Sequence, residues 1–229
     1  MSKQLLRTSL RSLLDRVTPD EVARQSVVVT ETLKQLVLQK SKDMGRPLNV
    51  GCYMGMDHQA EVQTLDLLKW LFGCTEAISQ VYLPRCTTTS VTGQVSLRPD
   101  RSNHPHLVFL QVSNWSDIVA MKPAGKYKLR EPPMPPMTQS SSLIPPHMDL
   151  MVVPGVGFAP DTGARIGWGA GYYDDFFQRY LLRHPHLPYL VGVCLKEQIT
   201  NDIHCEPHDQ QMDCLVVGDG SLTPFNVVE

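Results

Sequence analysis

The run Arg165-Ile166-Gly167-Trp168-Gly169-Ala170-Gly171-Tyr172-Tyr173-Asp174 gathers residue types that handle phosphate. It follows a short apolar stretch that breaks at Pro154-Gly155, and it leads into an aromatic, acidic helix. Six of the chain's 15 glycines fall between Gly155 and Gly171. Glycine costs backbone entropy and is kept where φ must be positive or a ligand must approach the main chain. A strand, a glycine loop and a helix start also bring unpaired backbone N–H groups together, which suits an anion. Arg165 can clamp a phosphate, and Asp174, in the first helical turn, can take a Mg2+ ion bound to phosphates. Two plainer readings stand beside these with equal weight. Glycines also serve tight structural turns, and an aspartate at a helix start also offsets the helix dipole.

Other chemistries are excluded or weakened. The chain has no G-x-x-x-x-G-K-[ST], so it carries no P-loop of that kind, and G-x-G-x-G is not the G-x-G-x-x-G of a dinucleotide site. His204 and His208 lack a Cys/His spacing pattern and read as surface histidines rather than metal ligands. The six cysteines are scattered without a C-x-x-C pair, which favours reduced thiols over disulfides or zinc and points to the cytosol.

The elements that must position these residues follow from periodicity. Residues 2–16 read as a helix with Leu6, Leu10, Leu13 and Val17 on the buried face. Lys3, Arg7 and Arg11 form an adjacent basic stripe, which on its own is a solvated face. Thr18-Pro19-Asp20-Glu21 opens a second helix that runs to about Lys42, before Gly45-Arg46-Pro47. Strands are expected at Leu48 to Met54, Val81 to Pro84, Leu107 to Val112, Met148 to Val153, Tyr189 to Leu195 and Cys214 to Val217. Helices are expected at Glu61 to Phe72, Asn114 to Met121 and Ala170 to Arg183, with a minor edge hairpin at Val91 to Leu97. The proline-rich segment 122–147 reads as a long loop, and residues 218–229 as a short tail. Strands alternating with helices imply one α/β domain over residues 1–229. Its sheet would be mostly parallel and flanked by helices in a three-layer, Rossmann-like arrangement, with ligands at the carboxyl ends of the strands.

Composition sets the bounds. At 229 residues, 42% hydrophobic and 19% charged, the chain is long enough for a substantial core. A net charge of −2 gives no basic field for nucleic acid, and no apolar run approaches the roughly 18–20 residues that span a bilayer. The basic, amphipathic start also fits a mitochondrial transit peptide, although Asp15 and the direct run into a second helix weigh against it. A cytoplasmic enzyme is the expectation.

The motif Pro154-Gly155-Val156-Gly157-Phe158, a spacer, then Arg165 to Asp174, resembles the signature of the 5-formyltetrahydrofolate cyclo-ligase family. The likeness spans most of the chain. It includes Lys3-x-x-x-Arg7, Tyr53 to Met56 followed by Glu61-x-x-Thr64, and Leu83-Pro84-Arg85. It continues in Tyr127-x-Leu129-x-Glu131-Pro132, Lys196-Glu197-Gln198, and His208-Asp209 with Asp213. The resemblance implies an ATP-dependent ring closure. The N5-formyl oxygen is phosphorylated to an iminophosphate, N10 attacks, and phosphate leaves to give 5,10-methenyltetrahydrofolate. It implies Lys3, Arg165 and Tyr172 as catalytic residues. Lys3, Arg7, Arg165, Gly167, Gly169, Gly171, Tyr172 and Tyr173 would hold ATP. Met54, Glu61, Tyr127, Trp168 and Tyr172 would border the folate, and Asp174 and Asp209 would hold Mg2+. It further implies a monomer acting on small molecules, with no nucleic acid or membrane partner. It turns Lys3 and Arg7 from solvated charges into ligands, and argues against a cleaved leader that would remove them. Trp168 and Ala170 fill two positions where some members carry basic residues, so no phosphate contact comes from those side chains. Two other readings stay open: a phosphate-using enzyme on the same fold with another substrate, and a non-catalytic folate or nucleotide binder.

Overall fold

The structure is a computed structural model that describes residues 2–57, 59–97, 103–125, 127–135, 147–206 and 209–225. In chain order it comprises α1 (Lys3–Leu14), α2 (Pro19–Met44), β1 (Leu48–Gly51), α3 (Leu65–Gly73), β2 (Ile78–Thr88) and α4 (Thr89–Thr92). There follow β3 (Pro105–Val112), α5 (Trp115–Ala120), β4 (Leu150–Val153), β5 (Gly157–Phe158) and β6 (Arg165–Ile166). The last elements are α6 (Tyr172–Leu181), β7 (Tyr189–Cys194), β8 (Cys214–Val217) and β9 (Leu222–Pro224).

Seven strands form one sheet in the order β3-β2-β1-β4-β7-β8-β9, and β5 and β6 form a separate hairpin. The pairs β2–β1, β1–β4, β4–β7 and β7–β8 are parallel, whereas the two edge strands, β3 and β9, pair antiparallel. All four residues of β4 and of β8 are buried, as strands covered on both faces must be. Alternation then sorts the layers. Leu150, Val152, Val191, Val193, Cys214 and Val216 join the core beneath α2, α3 and α5. Their neighbours Met151, Val153, Leu190, Cys194, Leu215 and Val217 join the core beneath α6. The result is the expected three-layer α/β fold.

Caps fix several helix starts. Thr18 accepts from the Glu21 N–H with Pro19 in the first turn, and Asn114 accepts from the Asp117 N–H. Gly45, at φ 64°, ends α2 at Met44, two residues beyond the expected end. In α1 the buried row is Leu6, Leu10 and Leu14, while Leu13, expected inside, is 47% exposed.

Strand β1 ends at Gly51, short of the expected Met54, and β2 outruns its expected bounds at both ends; three further elements differ in kind or in start. The helix expected from Glu61 begins at Leu65, because residues 62–64 are bonded elsewhere. The Val62 carbonyl accepts from the Tyr53 hydroxyl, the Gln63 N–H donates to Ser26, and the Thr64 hydroxyl donates to the Tyr53 carbonyl. The hairpin expected at Val91 to Leu97 is instead the single helical turn α4 followed by irregular chain. There Thr92 donates back to the Thr88 carbonyl, and Arg179 takes the Val95 carbonyl that a hairpin would need. The stretch expected to be tail contributes β9. The expectations for His208, for 136–146 and for 226–229 lie outside the described residues.

All six cysteines are free, and among the described residues no helix is long and apolar enough to cross a membrane.

Candidate active site

A cavity of about 590 Å³ opens at the carboxyl ends of β1, β2 and β4. Its walls come from several parts of the chain. Residues Tyr53, Met54, Met56 and Glu61 follow β1; Pro84 and Cys86 belong to β2; Tyr127, Leu129, Arg130 and Glu131 form a turn across it; and Pro154, Arg165 and most of 167–174 close the far side. Helix α1 adds Arg11, and its C-cap residue Asp15 also lines the cavity.

The β5–β6 hairpin delivers Arg165. Its side chain is 4% exposed, and one terminal nitrogen donates to Asp174 Oδ1 at 2.8 Å. The guanidinium carbon lies 5.5 Å from the Tyr173 ring centroid, and its Nε is buried with no acceptor among the described residues. Gly157 explains how α1 reaches this hairpin: a Cβ there would stand 2.6 Å from Leu10 Cδ1, so the helix packs into the space of a missing side chain.

Beyond the hairpin, Gly169 and Gly171 adopt φ of 104° and 70°. No described residue accepts from the N–H of Trp168, Gly169, Ala170 or Gly171. Four successive free N–H groups leading into the N-terminus of the ten-residue helix α6 make an anion nest. Arg7 flanks it, donating through Nε to the Gly167 carbonyl at 2.9 Å.

The opposite wall carries a titratable acid. Glu61 is 4% exposed, and its Oε1 accepts from the Met56 N–H at 2.6 Å. Burial pushes its carboxyl up to about 7, against the opposing pull of that hydrogen bond. Burial likewise raises the Tyr172 phenol to about 12 and the Cys86 thiol to about 12, each beside Glu131. Burial lifts the Tyr173 phenol further, with Arg165 opposing.

The structure brings Met54, Glu61, Tyr127, Arg165, Gly167, Trp168, Gly171, Tyr172, Tyr173 and Asp174 to one cavity. Gly169 lies within the same loop, under the Arg7 guanidinium. Lys3 and Asp209 are not in the lining. They meet each other at 2.7 Å, with Glu206 3.2 Å from the lysine nitrogen and the Glu206 N–H donating to the same aspartate oxygen. Asp209 therefore faces Lys3, and Asp174 is the one expected metal ligand in the lining. Among the described residues no group of three or more His, Cys, Asp or Glu could hold a metal. Asp174 keeps Oδ2 clear of Arg165, which suits Mg2+ held by a single carboxylate together with phosphate oxygens and water. The C-terminal matches are scaffold: Gln198 donates to the Gly155 carbonyl at 2.6 Å, and Asp213 accepts from the Leu190 N–H at 2.6 Å.

Arg11, Cys86 and Glu131 are lining residues to which the sequence reading gave no role. Arg11 was visible as the third member of the basic stripe, and Cys86 as the residue after Leu83-Pro84-Arg85. Glu131 stood inside a matched motif; its Oε1 accepts from the Cys86 N–H at 2.7 Å.

A mostly parallel sheet that gathers free N–H groups and a buried acid around one cavity at the carboxyl ends of its strands has the arrangement of an α/β enzyme. The sequence profile of the 5-formyltetrahydrofolate cyclo-ligase family matches residues 1–218, and the chain belongs to that family, enzymes of folate metabolism. A 5-formyltetrahydrofolate cyclo-ligase of Saccharomyces cerevisiae is 41% identical over 225 residues, 98% of this chain and 99% of the relative. The mouse (Mus musculus) protein of the same name is 27% identical over 93% of this chain and 91% of its own. In fold, the chain is similar to the solved 5,10-methenyltetrahydrofolate synthetase of Aquifex aeolicus, with a TM-score of 0.64 at 23% identity, covering 98% of this chain and 93% of that one.

Proposed function

We propose that the protein closes 5-formyltetrahydrofolate to 5,10-methenyltetrahydrofolate at the expense of ATP, releasing ADP and phosphate. The observation that carries this reading is the meeting of the buried Arg165 with its half-buried partner Asp174, the four free N–H groups and the buried Glu61 in one cavity. An amide oxygen is a poor nucleophile, so the enzyme has mainly to align it with the γ-phosphate and to stabilise the charge on that group. The nest and Arg165 supply fixed donors for those oxygens, with Arg7 beside them. Glu61, as carboxylate, accepts from the donor edge of the pterin, while Trp168, Tyr172 and Tyr127 offer faces to its rings. The formyl oxygen then displaces ADP from the γ-phosphorus, N10 attacks the activated carbon and gives up its proton to solvent, and phosphate departs with the original formyl oxygen. Asp174 would hold Mg2+, which would supply charge neutralisation on the transferred phosphate. Lys3, joined to Asp209, is assigned to the outer edge of the phosphate site. The reading places the enzyme in the cytoplasm as a monomer.

The test is direct. Purified protein with 5-formyltetrahydrofolate and MgATP should show the absorbance of methenyltetrahydrofolate rising together with ADP. ATP consumption without that product points to another phosphate acceptor. Binding of both ligands without either product points to a non-catalytic binder.

A further inference from the structure

Arg11 has no part in the reading above, yet it lines the cavity. It stands one turn beyond Arg7 on the same face of α1. Its Nη2 donates to the Trp168 carbonyl at 3.2 Å, while Arg7 takes the preceding carbonyl, that of Gly167. Two successive carbonyls of the glycine loop are thus held by one helix. In a planar trans peptide the C=O and the next N–H point in opposite directions. The N–H groups of Trp168 and Gly169 are therefore turned away from α1, and they are two of the four left without an acceptor.

A second contact is independent of the first. The Arg11 guanidinium carbon lies 4.7 Å from the centroid of the Trp168 ring. Its Nε is buried and has no hydrogen-bond acceptor among the described residues. An aromatic face attracts a desolvated guanidinium, and the pairing restricts the rotamer of both side chains. Between Gly167 and Gly171 the loop has no cation of its own, and α1 delivers one.

We propose that Arg11 is a positioning residue for the cyclisation, holding the glycine loop with its amides presented to the cavity and Trp168 fixed as a wall. This rests on the phosphate-binding role proposed for the loop. Arg11→Met keeps the aliphatic stem and removes the donors; Arg11→Lys keeps a cation and one donor. The methionine variant should raise KM for MgATP by about tenfold, more than it raises KM for 5-formyltetrahydrofolate, and the lysine variant should recover part of the loss. Combined with Trp168→Leu, Arg11→Met should add little further loss, because each change breaks the same contact.

A readout without substrate completes the test. In a Trp70→Phe, Trp115→Phe background, Trp168 is the remaining tryptophan. Its emission should become more accessible to acrylamide in Arg11→Met and intermediate in Arg11→Lys. Unchanged quenching, additive losses, or an equal rise in both KM values with a lowered Tm would each overturn the proposal. If the wild-type protein forms no methenyltetrahydrofolate, the proposed function fails, while the quenching comparison still decides whether Arg11 holds the loop.

Discussion

Glu61 and Arg165 are both buried, and the consequences of burying them are opposite. A carboxyl raised to about 7 from 4.5 keeps its proton in the native state over a range where the unfolded chain has released it. Its contribution to stability is complete below pH 4.5 and is lost as pH rises through 7. At pH 8 the charged, buried form costs about 3 kcal/mol relative to the unfolded chain. Glu61→Gln keeps an acceptor for the Met56 N–H and removes the titration. The variant should match wild type in Tm at pH 5 and exceed it by roughly 5 °C or more at pH 8. The same substitution removes the carboxylate offered to the pterin, so KM for 5-formyltetrahydrofolate should rise most above pH 7. A parallel pH dependence of Tm in the two proteins would sink the assignment. Arg165 is buried beside Asp174, which satisfies part of the guanidinium and leaves Nε without an acceptor. Arg165→Ala should raise KM for ATP by roughly tenfold or more, with a smaller change for the folate. Equal losses on both substrates would mean that the residue holds the fold rather than the phosphates.

At the scale of elements, the turn across the cavity gives a further prediction. Ala124 and Leu129 form an isolated bridge, Lys128 sits at φ 48°, and two ties bind the turn down. Arg130 pairs with Asp57 at the exposed mouth, and Glu131 accepts from the Cys86 N–H inside. An exposed ion pair contributes on the order of 1 kcal/mol or less. Arg130→Ala should therefore leave Tm nearly unchanged while raising KM for the folate a few-fold, read from initial rates; a fall in Tm with no change in KM would mean that the pair serves the fold and not the ligand. This turn was legible only as a motif, because its strained Lys128 and its long-range partners leave no periodic signal. Elements with chemical punctuation were legible: Thr18, Pro19 and Gly45 bracket α2, and Asn114 starts α5. Strand β2 was read as ending at Pro84-Arg85 but continues to Thr88, because β3 pairs with it that far. Beyond Tyr82, β1 no longer flanks it, and proline is tolerated where a strand has one neighbour. The start of α3 falls later than periodicity predicts because Ser26 and Tyr53, distant in sequence, bind the backbone and side chains of 62–64. That displacement frees Glu61 from a helix and lets it line the cavity. The site was legible where a residue sits in a local motif, as at Arg165 and Asp174. It was not legible at Arg11, whose role depends on α1 docking against a loop more than 150 residues away.

The cavity draws together the first helix and segments from the middle of the chain. Helix α1 buries Leu6 and Leu10 against Val156 and Ile166, so the first helix and the glycine hairpin share one small core. The cavity also takes side chains from the segments after β1, within β2 and before β4. A ligand that bridges these parts binds the native state and has nothing equivalent to hold in the unfolded chain. Its stabilisation follows from mass action, about 2.7 kcal/mol at a free concentration one hundred times Kd. For a domain of this size that corresponds to a rise in Tm of roughly 5–10 °C. MgATP and 5-formyltetrahydrofolate should each raise Tm, and a non-hydrolysable ATP analogue should do so without turnover. The Arg165→Ala protein should lose most of the nucleotide shift and keep most of the folate shift, because Glu61 and the aromatic faces are untouched. Chelation of Mg2+ should remove the nucleotide shift in wild type and change little in the variant. Differential scanning fluorimetry over a ligand series measures all of these in one format. A nucleotide shift that survives both Arg165→Ala and chelation would place ATP elsewhere on the molecule, and the glycine nest would then be a structural turn.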